Sequence, residues 1–437
     1  MTTPIFDFVK AYSESKTTRF HMPGHKGNGG LGIETFDITE IRGADVLYSA
    51  DGIIEESENN LTSIYGTAHS FYSTEGSTLA IKAMLALVSE RLGEERPLIL
   101  AARNVHTAFI KAAALLDLDV EFVYPKVGGH LCECNITAED VREAILGARQ
   151  RPRALYVTSP DYLGNMLDIA GMAAVCREFG LPLLVDNAHG AYLKFLENDS
   201  HPISLGAAMC ADSAHKTLPV LTGGAYLHIS PDYAEYAVRA RGALSLFAST
   251  SPSYLTLCSL DLCNKRVFDG YAEEIRRLEV KSREIKHRIE QMGISVCKSE
   301  PLKITVKAGA AFADCLRKCR IEPEFSDAEY TVLMLTPENS DEDFDRLIDA
   351  ISKMKIEESG EADGFSIKPH KAEMTIRHAV FAPNELIEVE KAVGRICAAP
   401  TVSCPPAVPI VVSGERITEY DVKIFDHYGI NTVSVVK

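Results

Sequence analysis

From about residue 75 to 230, short apolar runs bounded by turn residues alternate with stretches of helical period. The runs are Leu98 to Ala102, Val120 to Tyr124, Ala154 to Thr158, Pro182 to Val185 and Ala225 to Ile229. Helical patterns such as Ala138 to Ala148 and Ala170 to Phe179 lie between them. This alternation predicts an α/β fold, a mainly parallel sheet with helices on both faces. In such sheets a ligand sits beyond the carboxyl ends of the strands, so the polar residues there are the ones to read for chemistry.

Residues 252–292 read as one long helical stretch rich in i,i+4 charge pairs, bridging to a second unit. Then come a strand (Lys303 to Lys307), a helix (Ala310 to Cys319), a strand (Thr331 to Leu335) and a helix (Asp341 to Met354). They predict a small α+β domain. Lys355 to Gly364 is polar and predicts an exposed loop. The first 60 residues read as irregular, with Pro23-Gly24-His25-Lys26-Gly27 marking a turn-rich segment. The expected division is an N-terminal segment over 1–60, a large domain over 61–292 and a small domain over 293–437.

The 437 residues are 46% hydrophobic and 24% charged, as in an ordinary globular protein. No apolar run approaches the roughly 18 to 20 residues that span a bilayer. Met1-Thr2-Thr3-Pro4 lacks the basic-then-apolar form of a secretory signal. The eleven cysteines form no C-x-x-C pair and have no His at zinc-like spacing. Buried thiols in a reducing cytoplasm, and no metal site, are expected. A net charge of −16 argues against a nucleic-acid partner and suits a cationic small substrate.

Ser213-Ala214-His215-Lys216-Thr217 ends a strand-like run and precedes Gly223-Gly224. A desolvated lysine amine there is a good carbonyl nucleophile, able to hold an aldehyde cofactor, though a surface lysine on a loop fits the pentapeptide too. Ser73-Thr74-Glu75-Gly76-Ser77-Thr78 precedes a helix expected to begin near Leu79. Its amides, hydroxyls and dipole suit a phosphate, or an ordinary N-cap. Asp186 follows an apolar strand, where a carboxylate needs a cationic partner such as a protonated pyridine nitrogen, or else caps the next segment. His106, after Leu98 to Ala102, could stack on a flat aromatic ligand or simply start a helix. All four signals fall at strand ends or helix starts, in an order that one pocket could use.

The chain resembles the ornithine/lysine/arginine decarboxylases of pyridoxal-phosphate fold type I, in the short bacterial form without an N-terminal wing domain. The matching stretches are 19–27 (RFHMPGHKG), 37–41, 103–106, 186–190, 213–217 (SAHKT), 249–254 (STSPSY) and 405–409. The resemblance implies a mostly parallel seven-stranded sheet, a small C-terminal domain and a pyridoxal 5'-phosphate cofactor. It implies Lys216 as the Schiff-base lysine, Asp186 as partner of the pyridine nitrogen, His106 stacked on the ring and His189 beside it. Gly76, Ser77, Thr78, Ser213 and His215 would hold the phosphate, and Lys216 or His215 would return a proton to Cα. The implied reaction is decarboxylation of a basic amino acid in polyamine formation. The implied assembly is a homodimer or larger, with Thr250 and the 21–26 segment completing a site in their own subunit or in the partner. Three positions depart from the family pattern: Asn187 for Glu, Glu75 for Asn and Glu300 for Asp. Aminotransferases and lyases share the fold, and the departures also admit a cofactor-binding protein without decarboxylase activity.

Overall fold

A computed structural model of the chain describes residues 1–90, 95–126, 129–354, 365–399, 403–404 and 407–437. The loop expected at 355–364 and part of the 405–409 stretch lie outside the described residues. In chain order the elements are α1 (Pro4–Glu14), α2 (Ile53–Tyr65), β1 (His69–Ser73), α3 (Gly76–Val88), β2 (Leu98–Ala102), α4 (Thr107–Leu116) and β3 (Asp119–Val123). They continue with α5 (Ala138–Gly147), β4 (Ala154–Thr158), α6 (Ile169–Glu178), β5 (Leu183–Asp186), β6 (Met209–Asp212) and β7 (Ala225–Ile229).

The chain divides into two compact units, Met1–Val88 with Leu184–Arg276, and Ser89–Leu183 with Arg277–Lys437. In the first the strand order is β1-β7-β6-β5. β5 and β6 run parallel, with Asp186 opposite Ala211, whereas β7 is antiparallel to both β6 and β1. α3 is apolar on most of its circumference, burying Leu79, Ala80, Ile81, Ala83, Met84 and Leu85. A helix so covered needs little amphipathic contrast.

The second unit has β4-β2-β3, all parallel. It adds a three-stranded antiparallel sheet in the order Lys303–Val306, Thr331–Met334, Phe325–Ser326. A C-terminal ribbon pairs Asn384–Glu388 with Thr432–Val436. Val332, Ile410, Val411, Phe425 and Val435 belong to one buried cluster of this unit.

Three expectations change. The first 60 residues contain helices: α1 has Pro4 in its first turn and buries only Ile5 and Val9, too thin a stripe for periodicity to reveal. The stretch 252–292 is two helices, Tyr254–Arg266 and Ala272–Gln291, broken at Gly270, whose φ of +120° is non-helical. β1 is not among the apolar runs read from the sequence, but it is buried, with Ser70 Oγ hydrogen-bonded to Thr67 Oγ1 and His228 Nδ1. Helix α3 also begins at Gly76, three residues before Leu79.

Candidate active site

Lys216 stands on a one-turn helix, Ala214–Thr217, directly after β6. Its Nζ lies 3.1 Å from Nε2 of His189, in the turn that follows β5. Asp186 is the last residue of β5 and only 2% exposed, and its Oδ1 accepts the Ala188 amide at 3.3 Å. The adjacent parallel strands β5 and β6 thus carry Asp186 and His189 beside Lys216 at their carboxyl ends, where α/β sheets bind ligands.

Beyond the end of β1, Ser77 and Thr78 occupy the first turn of the 13-residue α3. The Ser213 hydroxyl donates to Ser77 Oγ at 2.7 Å, bringing the two segments together. Gly76 has φ +71° with open space where a side chain would project. Its amide donates to Gly223 O at 2.7 Å. Gly223 has φ +97°, and a Cβ there would come within 2.8 Å of Thr74 O, so glycine is required for this approach. Ser77 and Thr78 in the first turn of α3, with the Ser213 hydroxyl bonded to Ser77 and open space at Gly76, form a donor set that fits a phosphate. His215 is oriented by Gly224, whose carbonyl lies 2.9 Å from Nδ1. Since a carbonyl only accepts, Nδ1 carries the hydrogen.

His106, in the second unit, is the N-cap of α4 and half-buried, its Nδ1 accepting the Ala108 amide at 3.1 Å. Thr250 is exposed in the loop before the Tyr254 helix. Glu75 holds that loop, accepting the Ser249 amide at 2.7 Å. The other two departures have structural partners as well. Asn187 donates from Nδ2 to Asp212 Oδ1 at 2.7 Å, and Glu300 accepts the Leu302 amide and faces Lys303 Nζ at 3.8 Å.

Two groups were not singled out from sequence. Arg103 is 1% exposed and donates to the carbonyls of Pro409 and Ile410 at 2.9 and 3.0 Å, with Glu415 at 3.5 Å. Partners some 306 residues away leave no local signal. The second is a fully buried cluster of His201, Cys210 and Asp212 in which His201 Nε2 lies 3.0 Å from Asp212 Oδ2. Burial by itself raises the Asp212 pKa, but the His201 and His228 imidazoles outweigh it and hold the carboxyl well below the usual range.

A lysine and an acid at adjacent strand ends, with a hydroxyl-lined helix start, define the class of fold type I pyridoxal-phosphate enzymes. Solved structures share the fold across the whole chain. A Francisella novicida lysine decarboxylase superposes with a TM-score of 0.82 at 16% identity, covering 100% of this chain and 81% of that one. The constitutive lysine decarboxylase of E.coli gives 0.79 at 17% identity, covering 100% and 82%. The chain belongs to the Orn/Lys/Arg decarboxylase family. It matches that family's major domain over residues 3–309 and its C-terminal domain over 360–431. It is 30% identical to an arginine decarboxylase of Bacillus subtilis, covering 96% of this chain and 92% of the relative. An arginine decarboxylase of Halalkalibacterium halodurans is 28% identical over 95% and 91%. The protein is a pyridoxal-phosphate-dependent decarboxylase of a basic amino acid.

Proposed function

We propose that the substrate is arginine and that the products are CO₂ and the amine arginine leaves behind. The observation that carries this is the near full-length similarity to the Bacillus subtilis arginine decarboxylase. When bound, pyridoxal phosphate supplies the electron sink for the bond that breaks as CO₂ leaves. The chain's own residues do the rest. Lys216 would hold the cofactor through its amine, and His189, 3.1 Å away, would position that amine. Asp186 keeps a proton on the pyridine nitrogen, a role suited to a buried carboxylate that needs a cationic partner. Gly76, Ser77, Thr78, Ser213 and His215 would hold the phosphate. Lys216 or His215 then returns a proton to the substrate Cα.

The reading extends to a cytoplasmic homodimer serving polyamine formation, with Thr250 and residues 21–26 completing a site across the dimer. Incubating purified protein and cofactor separately with arginine, lysine and ornithine, and identifying the amines by mass spectrometry, tests the substrate. Arginine should give the highest kcat/KM. Preference for another amino acid overturns the substrate. Transfer of the amino group to a 2-oxoacid without CO₂ release overturns the reaction.

A further inference from the structure

We propose that Asp212, acting through Asn187, is a positioning residue for the turn 186–190, which carries both Asp186 and His189; this rests on the proposed roles of those two residues. Asn187 is fully buried. Its backbone amide donates to Ala211 O at 3.0 Å, and its carbonyl accepts the Gly190 amide at 2.8 Å. Its side chain adds a third tie, the 2.7 Å bond from Nδ2 to Asp212 Oδ1. The turn is therefore fastened to the end of β6, one residue before Ser213 and four before Lys216.

The space around the turn is shaped for this rotamer. A Cβ on Gly190 would come within 2.0 Å of Asn187 Oδ1 and 2.7 Å of Leu193 Cδ1. Asp212 is itself held on its other side. Its Oδ2 lies 3.0 Å from His201 Nε2 and 3.4 Å from His228 Nε2, and His228 is anchored through Nδ1 to Ser70 Oγ at 2.7 Å. Asp212, His201 and His228 are all 0% exposed.

His, Cys and Asp are metal-ligand types, but both Asp212 oxygens are already engaged by protein groups, and the cluster reads as a hydrogen-bonded brace. Replacing a buried ion pair by apolar residues is often neutral or stabilising, so such a pair is weak evidence for stability; its better-attested use is fixing one arrangement. Here the arrangement fixed is the direction of Asn187, and through it the turn between the acid and the histidine.

The test compares full-length holoenzymes carrying Asn187→Asp, the double change Asn187→Asp with Asp212→Asn, and Asn187→Ala. Asn187→Asp sets two carboxylates against each other. It should lower kcat by about tenfold or more and shift the pH midpoint of the bound-cofactor absorbance. The double change restores a hydrogen bond with donor and acceptor exchanged, and should bring both readouts back to within about threefold of the parent. Asn187→Ala serves where Asn187→Asp does not fold. In cofactor-free protein it should speed amide exchange of the peptide containing 186–190. Two results overturn the proposal: a double variant no better than Asn187→Asp, or an Asn187→Ala protein with unchanged exchange and absorbance midpoint. Asp186→Ala is measured in parallel. Near-normal turnover there defeats the assigned role of Asp186, whereas the exchange readout still judges the brace.

Discussion

Lys216 Nζ and His189 Nε2 lie 3.1 Å apart, although 27 residues separate them in the chain. The contact follows from two parallel strands whose carboxyl ends are level: Asp186 pairs with Ala211, so the turn after β5 and the helical turn after β6 project together. A lysine in this place can exchange a proton with the imidazole and present its amine to a carbonyl. Neither residue needs a long reach.

Replacing Asp186 by Ala should leave the cofactor bound, because the proposed phosphate donors lie on other segments. It should lower kcat by about a hundredfold or more, since an electron sink needs its pyridine nitrogen protonated. Steady-state CO₂ release, with cofactor content read from absorbance, checks both halves. Retained turnover with full cofactor removes Asp186 from its role.

Arg103 should matter to stability. Its two bonds to the 409 and 410 carbonyls and its pairing with Glu415 are nearly inaccessible to water. Arg103→Ala strands the carboxylate and should cost about 3 kcal/mol. Arg103→Lys should recover only part, because a single ammonium cannot fork to both carbonyls. Urea denaturation of the three proteins measures the difference.

Glu300 and Lys303 form a buried pair, with Lys303 Nζ also 3.3 Å from the carbonyls of Asp161 and Tyr162. Burial pushes the Lys303 pKa down, against the raising effect of Glu300 and Asp161. Glu300→Gln leaves the ammonium without its carboxylate and should cost about 3 kcal/mol, whereas Glu300→Leu with Lys303→Met should cost less than Glu300→Gln alone. A denaturation series in which the double variant is the weaker of the two contradicts this.

His370 gives stability a pH dependence on the alkaline side. Burial by itself lowers its pKa, but the hydrogen bond to Asp421 at 2.8 Å and the nearby Glu415 raise it above the ordinary 6.5. The folded state thus holds the proton more tightly than the unfolded chain. The resulting stability is fully present below about pH 6.5 and is lost as pH rises through the raised value. His370→Gln should be less stable than the parent at pH 6, and that difference should shrink by pH 9.

The candidate lysine segment was legible in sequence because it is contiguous. Residues 213–217 keep their hydroxyl, imidazole and lysine within one short segment, and a strand end announced each neighbour. The parallel strands β2, β3 and β4 were legible as short, mainly apolar runs bounded by turn residues. What escaped depends on distant partners. β1 hides because its buried serine is satisfied by His228, and α1 because only two of its positions face the core. Asn187 stood out as a departure from a motif, but its meaning lies in Asp212, 25 residues on. Gly270 interrupts what periodicity alone extends as one helix.

The attachment of the cofactor to Lys216 is tested most directly by reducing the holoenzyme with borohydride, digesting it and locating the modified lysine by mass spectrometry. The expected result is one pyridoxyl group per chain, on the peptide containing 213–217 and on Lys216 itself, and none in Lys216→Ala. A stoichiometric label on any other lysine, or an undiminished label in Lys216→Ala, contradicts it.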